Sequence, residues 1–231
     1  MMASFLPGSP MLGFDQSLLF LAAAVLVTLA PGPDNLMIIS LGMARGCRAG
    51  VAFALGCALG CLNHTLLVVL GVSAAIAASP HAFMALRIAG GAYLIWLGFI
   101  VLKSTWRRSV ITPVTDSVGA PSASLTPAFQ QAGALTLFTR GLVANAVNPK
   151  VIVFFLAFLP QFVEPARGMI GWQLATLGLL FTTQAALIFS TIGFLAGSLG
   201  QRLARDPRIA LWLDRLAGVV FVGLGLRLLW A

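Results

Sequence analysis

From Ala49 to Leu86 the chain runs without a single Asp, Glu, Lys or Arg. At ~1.5 Å of rise per helical residue such a stretch exceeds one ~30 Å bilayer crossing, so it must hold more than one membrane-spanning helix. Ser79-Pro80 supplies the turn. Span two is placed at about 50–78 and span three at about 82–102, with Arg87 near its outer end.

The rest of the chain repeats this pattern. The first apolar run, from about Phe14 to Ala44, is interrupted at Pro31-Gly32-Pro33-Asp34-Asn35 and reads as a broken helix. Between Lys103 and Gly133 the composition turns to Ser, Thr, Pro and Gln, which marks a linker. Span four, about 135–160, carries a second break at Asn148-Pro149-Lys150. Span five runs from about 169 to 197 and span six from Ile209 to Trp230. Asp214 and Arg215 weaken the sixth, leaving open a five-span form whose last helix lies in the interface. With 59% hydrophobic and 9% charged residues in 231, against roughly 25% charged in a soluble domain, no water-facing surface can be built. The expected fold is therefore an all-α integral membrane protein, residues 1–231 forming one transmembrane domain. Its six helices divide into two inverted three-helix halves, 14–102 and 134–231, joined by a cytoplasmic linker, 103–133. The first and fourth helices are broken by proline.

The net charge of +8 does not signal nucleic acid, because the cations are scattered between apolar runs instead of gathered on one face. Membrane topology accounts for them. Arg45, Arg48, Lys103, Arg107, Arg108, Arg140, Arg202, Arg205, Arg208 and Arg215 fall on one side of the six-span arrangement, and Arg87, Arg167 and Arg227 on the other. Since Lys and Arg accumulate in cytoplasmic connections, both termini are expected outside the cytoplasm, in a multi-pass protein of the cell (inner) membrane. No cleavable signal peptide is expected, because a charged leading region is missing and the first cation is Arg45.

Proline removes a backbone donor and displaces a carbonyl, so the two breaks expose backbone polar groups in the bilayer. That is tolerated where they line a polar cavity. Asp34 and Lys150 are the acid and the base placed deep in spans, and ionised groups there cost ~2.5–3.5 kcal/mol on insertion scales. They are expected to bind substrate together with Asn35, Asn145 and Asn148, while Pro31, Gly32, Pro33 and Pro149 shape the breaks. Asp34, with His64, is the candidate for proton coupling. Each feature also has a structural reading: a packing kink, an ion pair, a helix cap, a hydrogen-bonded interior histidine.

These stretches resemble the lysine exporter (LysE/RhtB) family of amino-acid efflux proteins. The similarity lies in Pro31-Gly-Pro-Asp-Asn-Leu, Arg45-Gly-Cys-Arg-Ala-Gly, Gly56-Cys-Ala-Leu-Gly60 with His64, Gly91-Ala-Tyr-Leu-Ile-Trp-Leu-Gly98, and Asn145-Ala-Val-Asn-Pro-Lys150 leading to Phe154-Phe-Leu-Ala-Phe-Leu-Pro-Gln-Phe162. The resemblance implies six helices and export of amino acids coupled to the proton gradient. Cys61 departs from it, standing where many relatives carry an acidic or other polar residue. One buried acid also suits a neutral amino acid better than a basic one. The expected partners are thus an amino-acid substrate, protons and the lipid bilayer, with no cofactor and no nucleic acid; a homo-oligomer is left open.

Two rival readings remain. Cys57, Cys61 and His64 at i, i+4 and i+7 share a helix face and would suit export of a soft metal ion, although Cys also packs as a small apolar residue. An intramembrane enzyme would need a nucleophile with its base or a His-Glu-x-x-His site, and the sequence offers neither arrangement.

Overall fold

The computed structural model describes residues 12–30, 32–78, 80–110, 127–164, 167–203 and 207–230. Pro31, one of the expected break residues, lies outside them. Every element among the described residues is helical. Helix α1 (Phe14–Leu29) begins at Gly13, whose N–H is held by the Gln16 side chain at 3.3 Å. Helix α2 (Pro33–Arg45) has proline at its first position, where the missing N–H has no helical partner to lose. It ends at Gly46, whose φ of 84° is a left-handed value that glycine adopts without strain. There follow α3 (Cys47–Ala78), α4 (Pro80–Val110) and the short α5 (Pro127–Gln130). Helix α6 (Ala134–Ala146) stops before Asn148-Pro149, and α7 (Pro149–Val153) starts there. It runs directly into a π-helical turn, Phe154–Phe158, and a 3₁₀ turn, Leu159–Phe162. Helices α8 (Ile170–Leu203) and α9 (Pro207–Trp230) complete the chain.

Both expected breaks are present. The axis turns by 58° between α1 and α2 and by 52° between α6 and the segment Pro149–Phe162. Cys47–Gly71 of α3 and Ile170–Gly197 of α8 are each long and apolar enough to cross a membrane, with mean hydropathies of 1.9 and 1.7. Counting each bent pair as one span raises the number to four. The expected third and sixth spans are helices of 31 and 24 residues packed against each other. Helix α4 continues to Val110, eight residues into the segment read as linker.

Glycine sets the closeness of the packing. Helix α3 lies between α6 and α8. At its crossing with α6, a Cβ on Gly56 would run into the Phe138 carbonyl, and one on Gly141 into the Phe53 carbonyl. Where α4 meets α9, a Cβ on Gly98 would lie 2.7 Å from the Gly218 oxygen. Lipid tails give helices no hydrophobic reason to associate, so close backbone approach through small residues supplies the contact. Large apolar side chains such as Leu66, Leu70, Leu179 and Leu187 accordingly point outward, each more than half exposed. Inside, the rings of Phe154, Phe158 and Phe162 pack in sequence with centroids 4.7 and 4.8 Å apart, the first pair tilted and the second edge-to-face, and Phe181 of α8 lies 5.0 Å from Phe154.

The two broken helices run antiparallel. At one end of the bundle Arg45 and Arg140 both hold α5, donating to the Phe129 oxygen at 2.7 Å and the Ala128 oxygen at 2.8 Å. At the other end, Gln16 Nε2 donates to the Phe162 oxygen. The breaks therefore sit side by side at mid-bundle.

Candidate substrate site

Each break leaves two half-helix ends, and the side chains nearest them match their partial charges. Asp34 is the second residue of α2, where a helix N-terminus favours an anion. Lys150 reaches across from α7 to the C-terminal end of α1, where Nζ donates to the Ala30 oxygen at 2.6 Å. Asn35 fills the same gap: its Nδ2 donates to the Thr28 oxygen at 3.0 Å and to the Ala30 oxygen at 2.9 Å. A carbonyl can only accept, so the orientation of this amide is dictated by its contacts. Asn148 caps α7, its Oδ1 accepting from the Lys150 main-chain N–H at 3.0 Å.

Asn145 joins the two halves. It is fully buried, and its Nδ2 donates to Asp34 Oδ2 at 3.0 Å. Its Oδ1 accepts from the Cys61 thiol at 3.6 Å, and its main-chain oxygen lies 3.0 Å from His64 Nε2. Because that oxygen can only accept, His64 Nε2 is the donor in this contact. Gly60 permits this contact, since a Cβ there would come within 2.9 Å of the Asn145 side chain.

A small cavity opens between the breaks. Its polar wall is made by Thr28, Gly32, Asp34, Asn35, Cys61, Asn145, Asn148 and Lys150, and its apolar wall by Val27, Val151, Phe181 and Phe189. Its volume, about 20 Å³, holds one or two waters on a scale where one needs ~10–15 Å³. The five expected binding residues thus come together at one cavity. His64 is joined to it through Asn145, and Pro33 and Pro149 shape the helix ends beside it. Thr28 and the apolar wall were not singled out in the sequence. Thr28 is one hydroxyl in a run of apolar residues, and Phe181 and Phe189 come from a span with no break to draw attention to them.

Cys57 and Cys61 are buried, but no three His, Cys, Asp or Glu side chains gather into a metal-binding group among the described residues.

A polar cavity between broken helices, inside an apolar helical bundle, defines a membrane transport protein. The chain belongs to the LysE type translocator family, whose model matches residues 25–231. It is a multi-pass membrane transporter and not an enzyme. It is 34% identical to an uncharacterized membrane protein of Vibrio cholerae, over 91% of this chain and 95% of the relative. It is 31% identical to an uncharacterized membrane protein of Pseudomonas aeruginosa, over 95% and 97%. It is also 30% identical to a leucine efflux protein of Klebsiella pneumoniae, over 94% and 95%. No solved structure matches the chain.

Proposed function

We propose that the protein exports neutral, apolar amino acids of the leucine class from the cytoplasm in exchange for protons. The observation that carries this reading is the two-faced cavity. A free amino acid presents an ammonium and a carboxylate beside an uncharged side chain. The cavity offers Asp34 for the first, Lys150 for the second, and Val27, Val151, Phe181 and Phe189 for the third. The name of the Klebsiella relative points to the same substrate.

In the cytoplasm-facing form, ionised Asp34 holds the substrate ammonium. Once the site faces outward, a proton on Asp34 removes that charge and releases the amino acid, and the neutral carrier returns inward to give up the proton. His64 follows the same site through Asn145, its Nε2 held by the Asn145 main-chain carbonyl. The cavity is smaller than leucine, so entry requires the half-helices to swing apart, and the two breaks are the natural hinges. The six helical segments α1–α2, α3, α4, α6–α7, α8 and α9 each cross the inner membrane as two inverted halves, with both termini outside the cytoplasm.

Inside-out vesicles carrying the protein should accumulate labelled leucine when an inward-acid proton gradient is imposed. The Asp34→Asn variant should bind in the membrane at parent yield and accumulate none. Full gradient-driven uptake by Asp34→Asn would remove Asp34 as the carrier of the proton, and absence of uptake by the parent for every neutral amino acid would remove the function.

A further inference from the structure

Two buried amides beside the cavity keep an oxygen without a hydrogen-bond partner among the described residues: Asn35 Oδ1 and Gln184 Oε1. Buried polar atoms are normally satisfied, so each exception asks for a reason. Both amides are tied to the same residue. Asn35 Nδ2 is committed to the Thr28 and Ala30 carbonyls, and Gln184 Nε2, from α8, donates to the Thr28 hydroxyl at 2.8 Å. Thr28 and Asn35 line the cavity, as does Phe181, one turn from Gln184 on α8. Asn35 has both amide N–H groups committed and Gln184 gives one of its two to Thr28, so the unpartnered Oδ1 and Oε1 are the acceptors these side chains have left to offer.

An alkylammonium has three N–H donors and no acceptor. Asp34, on the same wall of the cavity, answers one of them, which leaves two donors to match. We propose that Asn35 Oδ1 and Gln184 Oε1 receive the remaining N–H groups of the substrate's α-ammonium, with Thr28 fixing both amides. This rests on the reading of the cavity as the amino-acid site and adds Gln184 as a residue that recognises the amino group. Neutral oxygens leave the net charge of the site unchanged, so the subsite orients the ammonium while Asp34 alone responds to protonation. A small metal cation such as Na⁺ has the same appetite for oxygen, and the experiment separates the two.

Leucine transport is measured in proteoliposomes for the parent, Gln184→Met and Gln184→Glu, with Na⁺ present or replaced by choline. Competition by the 2-hydroxy analogue of leucine is measured alongside. Losing a hydrogen bond to a charged group should raise the KM of Gln184→Met for leucine about tenfold or more, with yield and maximal rate near the parent's. Its preference for leucine over the hydroxy analogue should shrink by the same factor, and Gln184→Glu, which keeps an acceptor for the ammonium while adding a charge, should retain that preference. An unchanged KM and preference in Gln184→Met would overturn the subsite. So would equal losses in both variants accompanied by poor yield, which would make Gln184 mere glue between α8 and α1. Transport by the parent that needs Na⁺, and loses that need in Gln184→Met, would give the oxygens to a metal ion instead. A parent that moves no amino acid fails the function itself, a result distinct from all of these.

Discussion

Asn145 uses every polar atom of its side chain and its carbonyl as well, and that makes it the residue whose loss spreads furthest. Leucine in its place would leave the Asp34 carboxylate buried without the donor now at 3.0 Å. A buried acceptor stripped of its partner costs about 1–3 kcal/mol, and more when charged. Asn145→Leu should therefore lower the melting temperature in detergent and abolish leucine export together. Cys61 contributes a weaker bond, at 3.6 Å to the same amide. A serine hydroxyl donates as well as the thiol does, so Cys61→Ser should keep export within about twofold of the parent, the loss of one weak bond being worth little. Full stability and transport in Asn145→Leu would show that the bridge between the two breaks carries no load.

At the level of helices, two sets of glycines do different work. Gly32 is extended at φ −161°, a conformation open to any residue, and a Cβ on it would meet Lys150 at an ordinary 3.5 Å. Gly56 and Gly141 instead lie against carbonyls of the facing helix. Gly32→Ala should thus fold normally, whereas Gly141→Ala must push α6 away from α3. Asn145 stands one turn further along α6, so the push also carries its amide off Asp34. Vesicle transport and size-exclusion profiles of the two variants would separate these outcomes, with Gly141→Ala expected to lose export by tenfold or more on the order of what a 1 Å misplacement does. The break at Asn148-Pro149 belongs to the same scale. Pro149 costs nothing at the first position of α7, but it would clash inside a helix that ran on from α6, and Pro149→Ala lifts that penalty of ~3 kcal/mol against a continuous helix. The variant should be at least as thermally stable as the parent and export more slowly, because the bend of 52° that aims Lys150 at α1 is no longer enforced.

Across the whole molecule, the two ends of the bundle differ in charge. Arg45 and Arg140 meet at α5, and the Arg140 guanidinium also lies 4.4 Å from the centre of the Phe129 ring. The opposite end carries Arg167, and it is paired with Glu164. If cations gather on the cytoplasmic face, α5 lies inside the cell and the start of α1 outside. A reporter that is active only outside the cytoplasm should then work when fused to either terminus, and one that fluoresces only inside should stay dark at both. A fluorescent C-terminus with a dark N-terminus would mean that α9 does not cross.

Hydrophobicity and proline are local properties, and what depended on them could be read along the chain: the apolar helices, both breaks, and the placing of an acid and a base beside them. A run without charge must become helix in a bilayer because each backbone group has to be satisfied within its own segment, and Pro33 and Pro149 can only begin a helix or bend one. Which groups then meet was decided by tertiary structure. Asn35 and Asn145 look alike in the sequence, yet one plugs the end of α1 while the other spans from α6 to Asp34. Nothing near Thr28 in the chain announces that Gln184, 156 residues later, will reach its hydroxyl. Those pairings depend on how closely α1, α3, α6 and α8 approach, and that distance is set by glycines whose partners lie on other helices.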